Sequence, residues 1–334
     1  MSTFRVLHSF LRRNLCIAVA AALIATGAHA QQDSSAAQYP ARPVKIVVPF
    51  AAGGAPDLVA RLIGQKLAER LGQSFVSENR TGAGGNLAME YVAHAPADGY
   101  TLVLASDAPL AINPYVYPKL PFDPVKDFAP VGIVASIGFM LLACPSLPVS
   151  QVADLVALAK ARPLSYASSG FGTNHHLAGE MLKQALGIDI THIPYKGFGQ
   201  GVSDVVGCKV DIMFGAISSG LPHVRAGKLK PLAVTIPARH PNLPAVMTMT
   251  EAGFPGVAMD AWFGLAAPAG TPRAVIEKLS ATLMMILRDK DLIERFAGAG
   301  IDVMAAGPEQ FAARLQADLA RFGVVAKSLK AKVE

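Results

Sequence analysis

The sequence predicts an α/β fold in which helices cover both faces of a largely parallel sheet. Two observations carry this. First, residues 44–105 alternate strand, small-residue loop and helix: a β-branched run at 44–48, glycines at 53 and 54, an apolar-periodic helix, a second strand at 74–77, glycines at 82, 84 and 85, a helix at 87–93, and a third strand at 101–105. Second, the pattern restarts at residue 164 with strand 164–167, loop 168–173 and a helix from about Asn174 to Leu186. Such alternation builds parallel sheets, and ligands collect at the carboxyl ends of their strands.

The elements follow in order. Residues 1–30 are set aside: Arg5, Arg12 and Arg13 form a basic start, residues 15–27 are apolar and alanine-rich, and Ala28 and Ala30 are small at the positions a signal peptidase reads. This is a secretory signal peptide, too short to span a membrane. Its removal takes three arginines and no acid from a formal charge of +6, leaving +3. No Lys/Arg run or basic stripe with aromatics remains, which argues against a nucleic-acid partner. Residues 31–41 read as a loose arm. The first helix opens near Asp57 and ends at Leu71-Gly72, where glycine suits the C-cap. Residues 113–130, with five prolines, read as irregular surface, and 131–144 as a buried strand. Ser150 predicts an N-cap for a helix over 151–161. Strands over 190–193, 210–214 and 232–235 alternate with helices ending near 206 and 226. A strand over 260–266 carries the single tryptophan, Trp262. Helices starting at Pro272 and over 291–297 and 308–330 complete the chain. The mature chain keeps Cys144 and Cys208. An export signal permits a disulfide, but two cysteines without a spacing logic read as buried thiols.

Four chemistries can be weighed. Ser168 and Ser169 near His175 and His176 could serve a hydrolase, but their glycines follow the serines rather than flank them. His176 and Glu180 share a helix face without the spacing of a zinc site, so no metal is expected. Gly82, Gly84 and Gly85 do not make a dinucleotide fingerprint, and no other cofactor motif is present. Carboxylate binding fits best. Three loops, 50–57, 168–173 and 216–219, combine small residues, hydroxyls and free N–H groups with a following helix, whose N-terminus favours an anion. The candidate ligand-binding residues are Phe50, Ala52, Gly53, Gly54, Ala55 and Asp57; Ser106 and Asp107 at the end of the third strand; Ser168, Ser169, Gly170, Gly172 and Thr173; and Ala216 and Ser218. No arginine stands ready to fork onto a carboxylate, so recognition is expected from main-chain amides, hydroxyls and ordered water. Asp57 could pair with a ligand amine or simply cap its helix.

These residues resemble a family. Pro49-Phe50-Ala51-Ala52-Gly53-Gly54 with Asp57 and Arg61, Glu78-Asn79-Arg80 with Gly82-Ala83-Gly84-Gly85, and Asp98-Gly99-Tyr100-Thr101 are similar to the Bug (TctC-like) periplasmic receptors of tripartite tricarboxylate transport systems. The resemblance continues through Ser168-Ser169-Gly170-x-Gly172-Thr173 with His176, Pro194-Tyr195-Lys196-Gly197, Ala226-Gly227-Lys228, Glu251-Ala252-Gly253, Trp262 and residues 267–272. It implies a two-lobed Venus-flytrap fold of the type II periplasmic-binding class, with the ligand between the lobes. Lobe 1 would take residues 40–140 plus 258–334, and lobe 2 residues 141–257. It also implies a monomeric, non-enzymatic receptor in the periplasm that hands a small carboxylate to membrane permease subunits. Two other roles compete: signalling to a sensor kinase from the same fold, and secreted serine hydrolysis. The sequence departs from the family pattern at Pro56, where Thr or Ser is common, at Cys208, where Gly is usual, and at Met247, where Pro is usual.

Overall fold

The computed structural model describes residues 38–195 and 197–326. The expected signal peptide, Lys196 and the predicted extension of the last helix to Lys330 lie outside the described residues.

The first strand–loop–helix unit is β1 (Val44–Val48) followed by α1 (Ala55–Leu71), which Gly72 ends at φ 73°, its N–H donating to the Ala68 carbonyl. β2 (Phe75–Asn79), α2 (Asn86–Ala93) and β3 (Thr101–Ser106) complete the opening series. The residues of β1 are buried on both faces: Ile46 and Val48 pack with Ile63 of α1, while Val47 packs on the other side with Met89 of α2. A strand covered on both faces has to be a continuous apolar run, and VKIVV is nearly that.

After β3 comes a π-type turn, Ala108–Ile112, and the short α3 (Asn113–Val116). The proline-rich segment is therefore not wholly irregular. Phe122 and Phe128 within it are buried edge-to-face, with ring centroids 5.7 Å apart. β4 (Phe128–Ala143) is 16 residues long. The second series is α4 (Asp154–Ala161), β5 (Leu164–Ser168), α5 (Asn174–Leu186), β6 (Ile190–Pro194), α6 (Phe198–Val206), β7 (Ile212–Ala216), α7 (Ile217–Arg225) and β8 (Lys230–Val234). α4 starts three residues later than Ser150 predicts. The Asp154 carboxylate instead accepts from the Ser150 and Gln151 amides and gathers residues 150–153 into a turn. The chain ends with β9 (Asp260–Pro268), α8 (Arg273–Ile286), α9 (Lys290–Gly298), β10 (Asp302–Ala306) and α10 (Pro308–Ala326).

One sheet path runs β2-β1-β3-β9-β4-β7-β5-β6, with β10 and β8 also paired to β4. The strands within each series are parallel: β1 with β2 and β3, and β5 with β6 and β7. The centre departs from the predicted parallel sheet, because β9 lies antiparallel between β3 and β4, and β7 lies antiparallel to β4. β4 belongs to both halves. Its residues Phe128 to Gly138 pair with β9, and Phe139 to Ala143 pair with β7.

α10 is fastened to β9 through charge. Trp262, fully buried, donates Nε1–H to Asp318 Oδ2 at 2.8 Å; Arg314 spans Asp318 (2.8 Å) and Asp260 (2.6 Å). The cysteines correct the expectation of free thiols. Cys144, at the end of β4, and Cys208, after α6, form a disulfide with Cα atoms 5.2 Å apart. Their 64-residue separation hid a contact that only the β4–β7 pairing creates. Cys208 has φ 54°, the left-handed region, which explains why glycine would suit this position.

Candidate binding site

Three loops at strand ends converge on one cavity of about 530 Å³. The first follows β1. Phe50 sits edge-on to Phe263, with centroids 6.2 Å apart, and Asn79 Nδ2–H donates to the Phe50 carbonyl at 3.0 Å. Asp57, 4 % exposed, turns back into this loop and accepts from Gly53 N–H (3.0 Å), Arg61 Nε–H (2.9 Å) and Asn79 Nδ2–H (2.9 Å). The Arg61 hydrogen bond, aided by the donors on Gly53 and Asn79, lowers its pKa to about 2 against the opposing effect of burial. The carboxylate braces the loop, reaching back from the third residue of α1 to the loop amide ahead of the helix.

The second loop follows β2. Gly82, Ala83, Gly84 and Gly85 all have positive φ, at 132°, 48°, 63° and 96°. Such a run keeps side chains away from a path that backbone must take, and a Cβ on Gly84 would lie 2.9 Å from the Tyr117 hydroxyl. Asn113 of α3 supports the loop by donating to the Gly84 carbonyl (3.1 Å) and to Asn86 Oδ1 (2.7 Å).

The third loop follows β5. Ser168 Oγ shares a hydrogen bond with His192 Nε2 at 2.6 Å and accepts from Gly170 N–H at 3.1 Å. Thr173 Oγ1–H donates to the Gly170 carbonyl at 2.8 Å, and Gly172 N–H donates to His176 Nδ1 at 3.1 Å. His176 stacks on His192 at 4.1 Å, and burial, the largest cause, lowers both pKa values to about 4. Two neutral rings can stack where two imidazolium ions would repel. Ser168 is 2 % exposed, and its Oγ is engaged by His192 and by the Gly170 amide. His176 and Glu180 each have other partners. Glu180 accepts from the Tyr166 hydroxyl at 2.7 Å, and no group of three potential metal ligands occurs among the described residues.

Around the cavity stand Pro49, Phe50 and Ala51 from the first loop, and Thr81, Gly82, Gly84 and Gly85 from the second. Ser169, Phe171, Gly172, Thr173, Asn174 and His175 come from the third loop and the start of α5. Ala108, Asn113, Val116, Tyr117 and Phe139 close it. Gly85 and Thr173 immediately precede α2 and α5, so two helix N-termini from the two strand series reach the cavity wall. Their partial positive charge favours an anion, with some first-turn N–H groups already taken, Asn86 by Ala83 and His176 by Thr173. No Asp, Glu, Lys or Arg lines the cavity among the described residues.

Of the residues predicted from sequence, Phe50, Ser169, Gly172 and Thr173 line this cavity, and Ser168 and Gly170 hold the third loop from behind. Ala52, Gly53 and Gly54 are on the exposed side of the first loop and Ala55 opens α1; none of the four touches the cavity. Ser106 and Asp107 are buried next to its Ala108 wall. Ala216 ends β7 opposite the wall residue Phe139 without itself lining the cavity, and Ser218 lines a different one, of about 510 Å³, with Arg225, His240 and Gly300. The sequence reading omitted Thr81, Asn113, Val116, Tyr117, Phe139, Phe171, Asn174 and His175 from the site. Only the glycine cluster after β2 announced any of this wall.

A cavity closed by paired loops from two parallel strand series, with β4 shared between them, defines a two-lobed solute-binding protein of the periplasmic type. The chain belongs to the family of tripartite tricarboxylate transporter receptors, TctC, whose pattern matches residues 59–330. It is 36 % identical over 303 residues to the protein BugT of Bordetella pertussis, covering 90 % of this chain and 93 % of that one. Among solved structures it is similar to R. palustris Rpa4515 with adipate, at 38 % identity and a TM-score of 0.74, covering 86 % of this chain and 97 % of that one. It is also similar to MatC of Rhodopseudomonas palustris with bound malate, at 35 % identity and a TM-score of 0.72, covering 86 % and 100 %. The family is one of periplasmic binding proteins, and no helix among the described residues is long and apolar enough to cross a membrane.

Proposed function

We propose that this chain, exported by the signal peptide at residues 1–30, works in the periplasm as a monomeric receptor. It traps one small organic carboxylate and delivers it to the membrane permease subunits of a tripartite transporter. The observation that carries this reading is the pair of helix N-termini, at Gly85 and Thr173, at a cavity that no charged side chain lines among the described residues. The carboxylate is held by loop amides, the Ser169 hydroxyl and bridging water. Residues 40–140 with 258–334 form one lobe and 141–257 the other, and β4 and β9 supply the hinge. Carboxylate binding in two solved relatives, one with adipate and one with malate, supports the ligand class. The burial of Ser168 supports a role without turnover.

Isothermal titration of the mature chain against a panel of mono-, di- and tricarboxylates tests the reading. At least one acid is expected to bind at micromolar or lower Kd and to be recovered unchanged. Failure of every acid to bind, or its conversion, would overturn it.

A further inference from the structure

The cavity is polar in an unexpected place. Seven buried side-chain atoms lack a hydrogen-bond partner among the described residues, and five of them cluster at one wall: Ser106 Oγ, Asp107 Oδ2, Asn174 Oδ1 and both ring nitrogens of His175. Asn174 and His175 line the cavity, while Ser106 and Asp107 lie behind the adjoining Ala108. His175 is wedged between aromatic rings, 5.2 Å from Phe139 edge-to-face and 6.3 Å from Phe198. Leaving a buried polar group unpaired costs on the order of 1–3 kcal/mol. Asp107 and Asn174 lie within reach of each other, so it is above all the two ring nitrogens of His175, on the cavity wall beside Asn174, that mark a position something polar is built to fill.

The rest of the wall limits what that can be. Pro49, Phe50, Val116, Tyr117, Phe139 and Phe171 surround the body of the cavity with apolar and aromatic surface. A ligand's first carboxylate has the two helix N-termini. A second carboxylate would enter a wall that no described Lys or Arg lines, where an uncompensated charge is expensive. A hydroxyl or amide, by contrast, both donates and accepts. That matches a neutral imidazole, which offers one donor and one acceptor, and a carboxamide, which offers both.

We propose that the preferred ligand is a monocarboxylate with an aromatic body and an uncharged hydrogen-bonding substituent, a hydroxyl above all, that engages Asn174 and His175. This rests on the carboxylate reading above and narrows it. The protonation states agree. Burial lowers the His175 pKa to about 4, so the ring is neutral near pH 7. Burial, with the charges of Asp318 and Asp260, raises the Asp107 pKa to about 8 against the pull of Asn174 and Arg314. A largely protonated Asp107 completes an uncharged polar wall.

Calorimetric titration of the mature chain with benzoate, 3- and 4-hydroxybenzoate, terephthalate, adipate and malate tests the proposal. At least one hydroxybenzoate is expected to bind about tenfold or more tightly than benzoate, with terephthalate no tighter than benzoate. In His175→Phe, whose ring fits the same aromatic slot, the gap between hydroxybenzoate and benzoate should shrink to about threefold or less. Tighter binding of terephthalate, adipate or malate than of either hydroxybenzoate would overturn this inference while leaving the carboxylate reading intact. So would a hydroxyl preference that survives in His175→Phe. Failure of all six acids to bind would overturn this inference, and failure of the wider panel above would overturn the carboxylate reading as well.

Discussion

Replacing Asp57 with alanine separates bracing from binding. The carboxylate collects three donors, from Gly53, Arg61 and Asn79, at 2.9–3.0 Å, and its side chain is only 6 % exposed. Its pKa falls from 3.8 to about 2, which by linkage corresponds to about 2 kcal/mol of folding stability at neutral pH. The sign follows from the direction. A carboxyl whose folded pKa is depressed contributes fully above the unfolded value and loses that contribution as pH falls through the folded one. About half is therefore gone near pH 3. Asp57→Ala should lower the unfolding free energy by about 2–3 kcal/mol at pH 7, because it also strands the Gly53 amide and the Asn79 amide group. The deficit should narrow to about 1 kcal/mol near pH 3. Urea denaturation of both proteins at pH 7, 5 and 3, followed by fluorescence of the buried Trp262, provides the comparison. A deficit below about 0.5 kcal/mol at pH 7, or one that does not shrink between pH 5 and 3, would refute the bracing role.

Three further changes bear on other parts of the molecule. Gly172→Val should weaken ligand binding by tenfold or more in calorimetry, since φ is 71° and a Cβ there would lie 3.2 Å from Val116 on the cavity wall. Arg314→Met should cost about 3–5 kcal/mol in denaturant unfolding, because it takes the cation from Asp260 and leaves Asp318 with Arg321 alone. Cys144→Ala paired with Cys208→Ser should lower stability by about 2–4 kcal/mol through the long loop the bond closes, with a matching drop when the native protein is reduced.

The parts of the fold that the sequence disclosed are those decided by neighbours in the chain. VKIVV followed by glycines and an amphipathic run specifies strand, turn and helix locally, and each parallel series was recognisable from such units. Partner direction was not. β9 meets β3 through Ala266 and Val103, and nothing in Asp260–Pro268 says that it runs against β3 and β4. β10 escaped notice because DVMAA is only half-buried and carries a weak alternation. The site divides the same way. Ser169, Gly172 and Thr173 were found because small residues before a helix start are a local signal. Phe139 was not, because its place on the wall depends on how β4 passes from β9 to β7. Asn113 and Tyr117 were hidden by prolines that read as loop, although Asn113 is buried and bonded to Gly84 and Asn86. Asp57 was seen as a helix-start residue, and its reach back to Gly53 is visible only in three dimensions.

The Cys144–Cys208 bond bears on when this molecule becomes fully itself. Cys208 occupies a backbone conformation that a side chain adopts at a cost, and the compensating bond forms only in an oxidising compartment. In a reducing cytosol the same residue is a liability without its compensation. For a chain of a periplasmic receptor family, an oxidising compartment is the place where those two sulfur atoms add most to its stability.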